Sequence, residues 1–216
     1  MVKIVKSTGI QIILVRHGET EWNRVHRFQG RSDIPLNRKG KEQAHALALA
    51  LKNKPITAIY TSPLMRAVET ARHMGRFHPS TPLLKESGLM EMNLGDFEGM
   101  EVRQWAGKYQ DFRKAWGGNP SALTMPGGES LQEVQQRAID TLERISQPYD
   151  PGSTLLICSH NFVIVSLLCY ASNTSLDRFR DWKQDNAALN IIYKDEQHFQ
   201  VERVNERGHL QGHGKG

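Results

Sequence analysis

The sequence has few cysteines and lacks the motif of cysteine-based phosphoryl transfer. Its two cysteines, Cys158 and Cys169, lie in apolar surroundings, which indicates buried free thiols in a reducing compartment rather than a disulfide. The Cys-x5-Arg motif is absent, because Ile164 and Ser175 stand where the arginine would be needed. This absence excludes catalysis by a thiol of that class.

Aromatic residues and long apolar runs are also scarce. Aromatics make up 7% of the chain and no basic run is interleaved with them, so we expect no nucleic-acid partner. The longest apolar run, residues 162–171, is too short to cross a bilayer and predicts a core helix. The N-terminus has no apolar signal-peptide segment. We therefore expect a cytoplasmic protein with no membrane partner, and the sequence leaves a homodimer open.

The length and charge of the chain suit one globular unit with an anionic ligand. A chain of 216 residues can form a single domain with a full core. The net charge of +5 suits an anionic ligand, although inert surfaces often carry as much. We expect one domain over residues 1–216, with a cap segment at about 95–130. Residues 1–9 resemble a short polar leader, and the Gly-rich residues 208–216 predict a mobile tail.

Strand and helix patterns alternate along the chain. Apolar runs at 10–15, 56–61 and 153–158 predict buried strands. Helical spacings of apolar residues begin near 37, 62, 130 and 162. Large aromatics at helical spacing indicate a further helix over 100–117, and the sequence after 186 predicts a terminal strand pair. This order predicts an α/β protein with a mostly parallel sheet and a small helical cap.

Two helix starts carry recognisable N-terminal signals. Ser130 and Glu133 have the spacing of a capping box. Ser62 is a good N-cap residue, and Pro63 suits the first helical position. We therefore expect helices that begin at these two serines.

Three polar clusters follow predicted strands, at residues 16–18, 62–66 and 159–161. In open α/β sheets, ligands bind at the carboxyl ends of the strands. The guanidinium groups of Arg16 and Arg66 can each pair with two phosphate oxygens. Arg66 also lies in the first turns of its helix, where the helix dipole adds positive potential. The clusters therefore predict a site for a phosphoryl group.

Four residues in or near these clusters could carry out phosphoryl transfer. His17 is the candidate nucleophile, because a neutral imidazole can form a phosphoenzyme. His160 would place a positive charge against the equatorial oxygens in the transition state. Asn161 follows it at a strand-to-helix junction, where free backbone N–H groups favour an anion. Glu91, in a loop after a strand, is the candidate acid that protonates the leaving alcohol.

Each assignment has an ordinary structural alternative. His160 taken alone could equally be structural, Glu91 could be a solvated carboxylate, and Arg66 could be a cation on a helix surface. The structural interpretation is accepted for three other histidines, His73, His78 and His198. The histidines are scattered and no Cys/His spacing fits a closed metal site. We expect no metal ion.

Four motifs in order resemble the histidine phosphatase superfamily, the phosphoglycerate-mutase-like proteins. They are "LVRHGETEWN" continued by "RFQGRSDIPLNRKGKEQA", then "YTSPLMRAVETA", "EMNLGDFEG" and "CSHN", with "PGGES" before the last. The resemblance covers residues 10–195. It implies a three-layer α/β/α sandwich and a reaction that needs no metal and no other cofactor. It also implies that His17 is phosphorylated, that Arg16, Arg66 and His160 complete the phosphate pocket, and that Glu91 donates the proton.

The resemblance adds three binding residues and shows two departures. Asn23, Gln29 and Gly30 match family positions that contact phosphate or substrate. Asn161 stands where the family commonly has glycine, so its amide can narrow the pocket or add a donor. Leu94 stands where the mutase branch has an aromatic residue and where metal-independent phosphoserine phosphatases carry histidine. The motifs therefore resemble the phosphatase branch and leave the substrate open.

We expect a metal-independent phosphomonoesterase that acts through phosphohistidine on a small phosphorylated metabolite. The first alternative is a mutase that returns the phosphoryl group to a second hydroxyl. The second is a non-catalytic module that binds a phosphorylated ligand, although binding alone would not need a proton donor. The cap should set substrate choice, and its apolar side chains favour bulky or aromatic esters.

Overall fold

A computed structural model gives the fold of residues 9–195 and 198–211. Most of the predicted leader, residues 1–8, and the end of the predicted tail, residues 212–216, lie outside the described residues. The first part of the tail, Gly208–Leu210, forms a 3-10 turn. Within it, Nε2 of His209 lies 2.9 Å from the carbonyl oxygen of Ala187. The mobility of the tail stays a prediction.

Six strands form one sheet in the order β3-β2-β4-β1-β5-β6. They are β1 (Ile10–Arg16), β2 (Ala58–Thr61), β3 (Leu83–Lys85), β4 (Thr154–Ser159), β5 (Leu189–Lys194) and β6 (Phe199–Glu206). The pairs β1–β4, β2–β4 and β2–β3 are parallel, while β5 runs antiparallel to both of its neighbours. The predicted mostly parallel sheet and the terminal strand pair are confirmed.

Seven α-helices lie within residues 9–195 and 198–211. They are α1 (Glu21–Arg24), α2 (Arg38–Leu51), α3 (Met65–Gly75), α4 (Val102–Lys108), α5 (Gln110–Gly118), α6 (Leu131–Ser146) and α7 (Asn161–Ala171). Alternate residues of β1 face the two sides of the sheet, as a strand requires. Ile13 and Val15 pack with α2 and α3, whereas Ile12 and Leu14 pack with α6 and α7. The α/β/α sandwich is confirmed.

Two helix predictions were wrong. The stripe over 100–117 is two helices, because Tyr109 has a φ of −118° and a ψ of 50° that break the helical path. Helix α3 begins at Met65 rather than at Ser62, and Leu64 is its N-cap residue. The Ser62 hydroxyl instead lies 2.8 Å from Nε2 of His160.

The cap aromatics form a packed cluster around Phe97. Its ring centroid lies 5.9 Å from Trp105, 4.9 Å from Tyr109 and 5.0 Å from Phe112, and Phe112 stacks on Trp116. The cluster continues the core on the α6–α7 side of the sheet. These side chains are packed together, and the preference for bulky or aromatic esters stays a prediction.

The capping box of α6 is present. The Ser130 hydroxyl accepts a hydrogen bond from the Glu133 N–H at 3.2 Å, and the Glu133 carboxylate accepts one from the Ser130 N–H at 2.7 Å. Two backbone donors that would lack a helical partner are thereby satisfied. The Ser130 side chain therefore fixes where the longest helix begins.

We expect Ser130→Ala to lower the free energy of unfolding by about 1 kcal/mol, because the cap hydroxyl is lost. Urea denaturation followed by circular dichroism measures this change. Ser80→Ala, at an exposed turn residue, is the matched control and should change stability by less than about 0.5 kcal/mol. Equal effects of the two substitutions would show that the capping box does not hold the helix start.

Candidate active site

His17 lies at the tip of β1 with its side chain buried, 3% exposed. Its Nδ1 is 2.7 Å from the carbonyl oxygen of Gly18. Because a carbonyl can only accept, Nδ1 carries the proton and Nε2 keeps its lone pair. A Cβ at Gly18 would meet the Gly40 carbonyl oxygen at 2.4 Å, so only glycine lets the start of α2 approach the histidine this closely. The structure therefore presents an imidazole with a free Nε2 lone pair.

His160 lies beside His17, with the two ring centroids 5.1 Å apart. The Nε–H of Arg66 donates to Nδ1 of His160 at 3.2 Å, so Nε2 carries the proton and donates to the Ser62 hydroxyl. Burial, followed by the nearby charge of Arg66, holds the pKa of His160 well below its usual value. An imidazole that accepts from a guanidinium is neutral, and the positive charge predicted for His160 in the transition state stays a prediction.

The two predicted arginines are both brought to this point. Arg66 is fully buried, and its two terminal nitrogens donate to the carbonyl oxygens of Ser32 at 2.8 Å and Gly30 at 2.7 Å. Arg16 donates to the Gln184 carbonyl oxygen at 2.6 Å, while its buried Nε–H has no hydrogen-bond partner among the described residues. Burial lowers the pKa of Arg66 to about 10, so the guanidinium stays charged at neutral pH. The site is thus cationic before any ligand binds.

Glu91 lies in the loop after the 3-10 turn Ser87–Leu89 and is buried, 4% exposed, with its carboxyl group against the first turn of α7. Its Oε1 accepts hydrogen bonds from the N–H groups of Met92 at 2.9 Å and Phe162 at 3.1 Å. The Phe162 N–H, one of the backbone donors at this strand-to-helix junction, therefore binds Glu91 and is not left open for phosphate. Burial raises the pKa of Glu91, partly opposed by the Met92 N–H and the arginine charges. The carboxyl group is thus suited to hold a proton.

The binding residues implied by the family motifs surround the same point. Asn23, on α1, accepts from the Asn186 amide at 3.2 Å. Gln29 accepts from the Thr20 hydroxyl at 2.7 Å, and its buried Nε2 has no partner within the described chain. The side chains of Asn23 and Gln29 therefore lie in the loop region that follows His17.

Gly30 and Asn161 are placed by the backbone. The Gly30 carbonyl oxygen holds Arg66, and a Cβ at Gly30 would meet the Met92 carbonyl oxygen at 2.6 Å. Asn161 is the first residue of α7, directly after His160, and is half-buried. The structure thus brings all nine predicted residues to one end of the sheet, and their roles stay predictions.

Sequence reasoning missed several residues that support the site through a side chain or a backbone carbonyl group. Ser62 was interpreted as a helix cap, because serine before proline is the usual cap pattern. Gln184 and Asn186 precede β5, more than 160 residues from Arg16 and His17, which they contact. No local pattern could have identified them, because only the antiparallel pairing of β5 with β1 brings them together.

The site combines a free imidazole nitrogen, two guanidinium groups and a protonatable carboxyl group. Such a set can bind a phosphate ester, attack phosphorus and protonate the leaving oxygen. In the part of the chain that the structure describes, no three His, Cys, Asp or Glu side chains are grouped so as to hold a metal ion. In the same part, no helix combines the length and the apolar character needed to cross a membrane.

Comparisons with known proteins place the chain in a family. The chain fits the histidine phosphatase superfamily (branch 1) over residues 12–207. It is 33% identical over 202 residues to Phosphoserine phosphatase 1 of Hydrogenobacter thermophilus, covering 93% of this chain and 94% of that protein. It is 32% identical to Phosphoglycerate mutase-like protein 4 of Arabidopsis thaliana, covering 84% of each. The solved structure of Bacillus stearothermophilus YhfR matches with a TM-score of 0.88 and 30% identity, covering 94% of this chain and all of that one.

The sandwich and the buried histidine–arginine cluster at its strand ends define an enzyme of phosphoryl transfer. The chain belongs to the histidine phosphatase superfamily, branch 1. It is a phosphatase of this superfamily, and its relatives include enzymes named phosphoserine phosphatase, one of them metal-independent. The resemblance found in the sequence motifs is confirmed.

The buried neutral histidines predict a loss of stability in acid. Burial lowers the pKa of His17 and His160 in the folded state, so below pH about 6.5 the unfolded chain takes up protons that the folded protein does not. Each histidine then lowers the free energy of unfolding by up to about 1.4 kcal/mol per pH unit. Glu91, with a raised pKa, acts in the opposite sense. Urea denaturation at pH 7, 6 and 5 measures the free energy of unfolding, in which the contributions of these three groups add up.

The variant His17→Asn isolates one histidine, and its stability should fall less steeply between pH 6.5 and pH 5 than that of the wild type. Ser80→Ala, at an exposed residue with no titrating group, is the control and should keep the wild-type slope. A wild-type slope in His17→Asn would mean that His17 is protonated in the folded protein.

Proposed function

We propose that the protein hydrolyses a small phosphate monoester through a phosphohistidine intermediate on His17. The observation that carries this proposal is the tautomer of His17, whose Nδ1–H is fixed on the Gly18 carbonyl oxygen while Nε2 keeps its lone pair. The neighbouring His160 ring lies 5.1 Å away, with Arg66 bonded to it. A free nucleophilic nitrogen is thus surrounded by cationic groups.

In the first step, the ester phosphate binds between the guanidinium groups of Arg16 and Arg66. Its negative charge raises the pKa of His160 and offsets the nearby arginines. Nε2 of His17 attacks phosphorus, the bond from phosphorus to the alcohol oxygen breaks, and Glu91 gives its proton to that oxygen. The products are phosphohistidine, a free alcohol and a Glu91 carboxylate.

In the second step, water attacks the phosphohistidine. Glu91, now a carboxylate, accepts a proton from the water as its oxygen bonds to phosphorus. The bond from phosphorus to nitrogen breaks and the electron pair returns to Nε2 of His17. Inorganic phosphate leaves, and both side chains regain their starting protonation states.

We further propose that Asn23, Gln29, Gly30 and Asn161 bind the phosphate or the alcohol part of the substrate, and that the cap segment, about 95–130, limits what can enter. Phosphoserine belongs in any substrate panel because of the names of the relatives. Leu94 is buried, 2% exposed, and offers no polar contact to an amino acid, so it gives no reason to prefer phosphoserine. We also infer a cytoplasmic enzyme, and a homodimer is open to test by light scattering.

We expect His17→Ala to lower the hydrolysis of p-nitrophenyl phosphate by on the order of 10³-fold or more, because the nucleophile is lost. Stopped phosphate-release assays measure the rate, and acid-labile labelling by a ³²P-ester should also disappear. His45→Ala, on α2 and far in sequence from the strand tips, is the control and should behave as the wild type. EDTA should change the hydrolysis rate of neither the wild type nor His45→Ala.

Three outcomes would contradict this assignment. Activity of His17→Ala within a few-fold of the wild type would remove His17 as nucleophile. A large loss on chelation would require a metal ion. Exchange between 3- and 2-phosphoglycerate with negligible phosphate release would instead support the mutase activity suggested by the name of the Arabidopsis relative.

We expect Glu91→Gln to lower the hydrolysis of glycerol 2-phosphate by roughly 10²- to 10⁴-fold, the usual contribution of a general acid. The hydrolysis of p-nitrophenyl phosphate should fall far less, since p-nitrophenolate leaves without a proton. Steady-state kcat on both esters measures the difference. Glu86→Gln, in the same loop region and paired with Arg144, is the control. Equal losses on the two esters would exclude Glu91 as the acid.

A further inference from the structure

Arg137, on α6, uses all five of its N–H groups. Its Nε–H and one terminal N–H donate to the Glu129 carboxylate at 2.9 and 3.1 Å. The other three donate to the carbonyl oxygens of Gly88 and Met90, at 2.7 Å each, and of Glu91, at 3.3 Å. The planar fork of arginine allows this, and the single ammonium of lysine would not.

The segment held by Arg137 is short and has no regular structure of its own. It follows the 3-10 turn Ser87–Leu89 and carries the candidate acid Glu91. The Glu91 carbonyl oxygen also accepts from Nε of Arg31 at 2.9 Å. The main chain of this residue is therefore held by two guanidinium groups, while its carboxyl group is held by the Phe162 N–H at the start of α7.

The anchor itself is rigid. Glu129 binds Arg31 and Arg137 together and accepts from the Asn93 N–H at 2.7 Å, beyond Glu91 in the chain. The side chains of Arg137 and Glu129 are only 20% and 19% exposed. Arg137 lies within α6, and Glu129 directly precedes the N-cap residue Ser130, so both residues are tied to the first turns of one helix. The loop thus takes its position from α6.

We propose that Arg137, fixed by Glu129, is a positioning residue that sets the distance from the Glu91 carboxyl group to the leaving oxygen of the substrate. This rests on the proposed function, because it assigns Arg137 a purpose only if Glu91 is the proton donor. A displacement of about 1 Å at a reacting group can lower a rate roughly 10²-fold. Loss of the fork should therefore act on the step that needs the proton.

The variant Arg137→Lys keeps the positive charge and removes the planar fork. It therefore separates the effect of Arg137 on the position of Glu91 from the effect of its charge. We expect its kcat for glycerol 2-phosphate to fall about 10- to 100-fold, while its kcat for p-nitrophenyl phosphate changes less than about threefold. Glu129→Gln, which keeps the shape of the anchor and weakens its hold, should show the same selective loss to a smaller degree. Arg144→Lys is the matched control, because Arg144 lies two turns further along α6 and binds Glu86.

Circular dichroism and urea denaturation first establish which variants are folded, and either folded variant decides the question. Selective loss on glycerol 2-phosphate, absent from the control, supports the positioning role. Equal losses on both esters, or full activity of Arg137→Lys on glycerol 2-phosphate, overturn it while the wild-type activity and the Glu91→Gln effect stand. A wild type that hydrolyses neither ester would refute the proposed function itself.

Discussion

The parallel pairing of β1 with β4 is the constraint on which the site depends. In this register Arg16 lies opposite Ser159, so the next residues of the two strands, His17 and His160, emerge side by side. A slip by one residue would turn every side chain of β1 to the opposite face. The register is held by two buried faces, because Ile12 and Leu14 fit one layer of helices and Ile13 and Val15 fit the other. The apolar core therefore determines the distance between two polar rings.

Burial of so many polar groups would be unfavourable if they were unpaired. The structure satisfies most of them within one network, in which Arg66 binds His160 and two loop carbonyls, and His160 binds Ser62. The buried Nε–H of Arg16 is an exception, with no partner in the described ranges. A donor of this kind is suited to an anion from outside the chain, which explains why the two arginines differ although both follow a strand.

The sequence allowed the order of the elements and the parallel sheet to be predicted, and it drew attention to nine residues that lie at one end of that sheet. Strands covered on both faces give continuous apolar runs, and a polar cluster directly after such a run stands out. The sequence could not reveal what depends on distant contacts. Ser62 binds a histidine 98 positions away. The break between α4 and α5 at Tyr109 lies within an aromatic cluster that also contains Phe97, which precedes both helices. The tautomer of His160 depends on a guanidinium from another helix, a contact that no local pattern shows.

The guanidinium groups of Arg66 and Arg137 donate hydrogen bonds to main-chain carbonyl oxygens, and this determines which nearby side chains can be exchanged. A carbonyl oxygen is supplied by any amino acid, so the side chains of Ser32 and Met90 can be exchanged without loss of the hydrogen bonds to their carbonyl oxygens. Gly30 is restricted, since a side chain there would collide with the Met92 carbonyl oxygen. A change of side chain at Ser32 thus leaves Arg66 with its acceptor oxygen, whereas a side chain at Gly30 requires the loop to move.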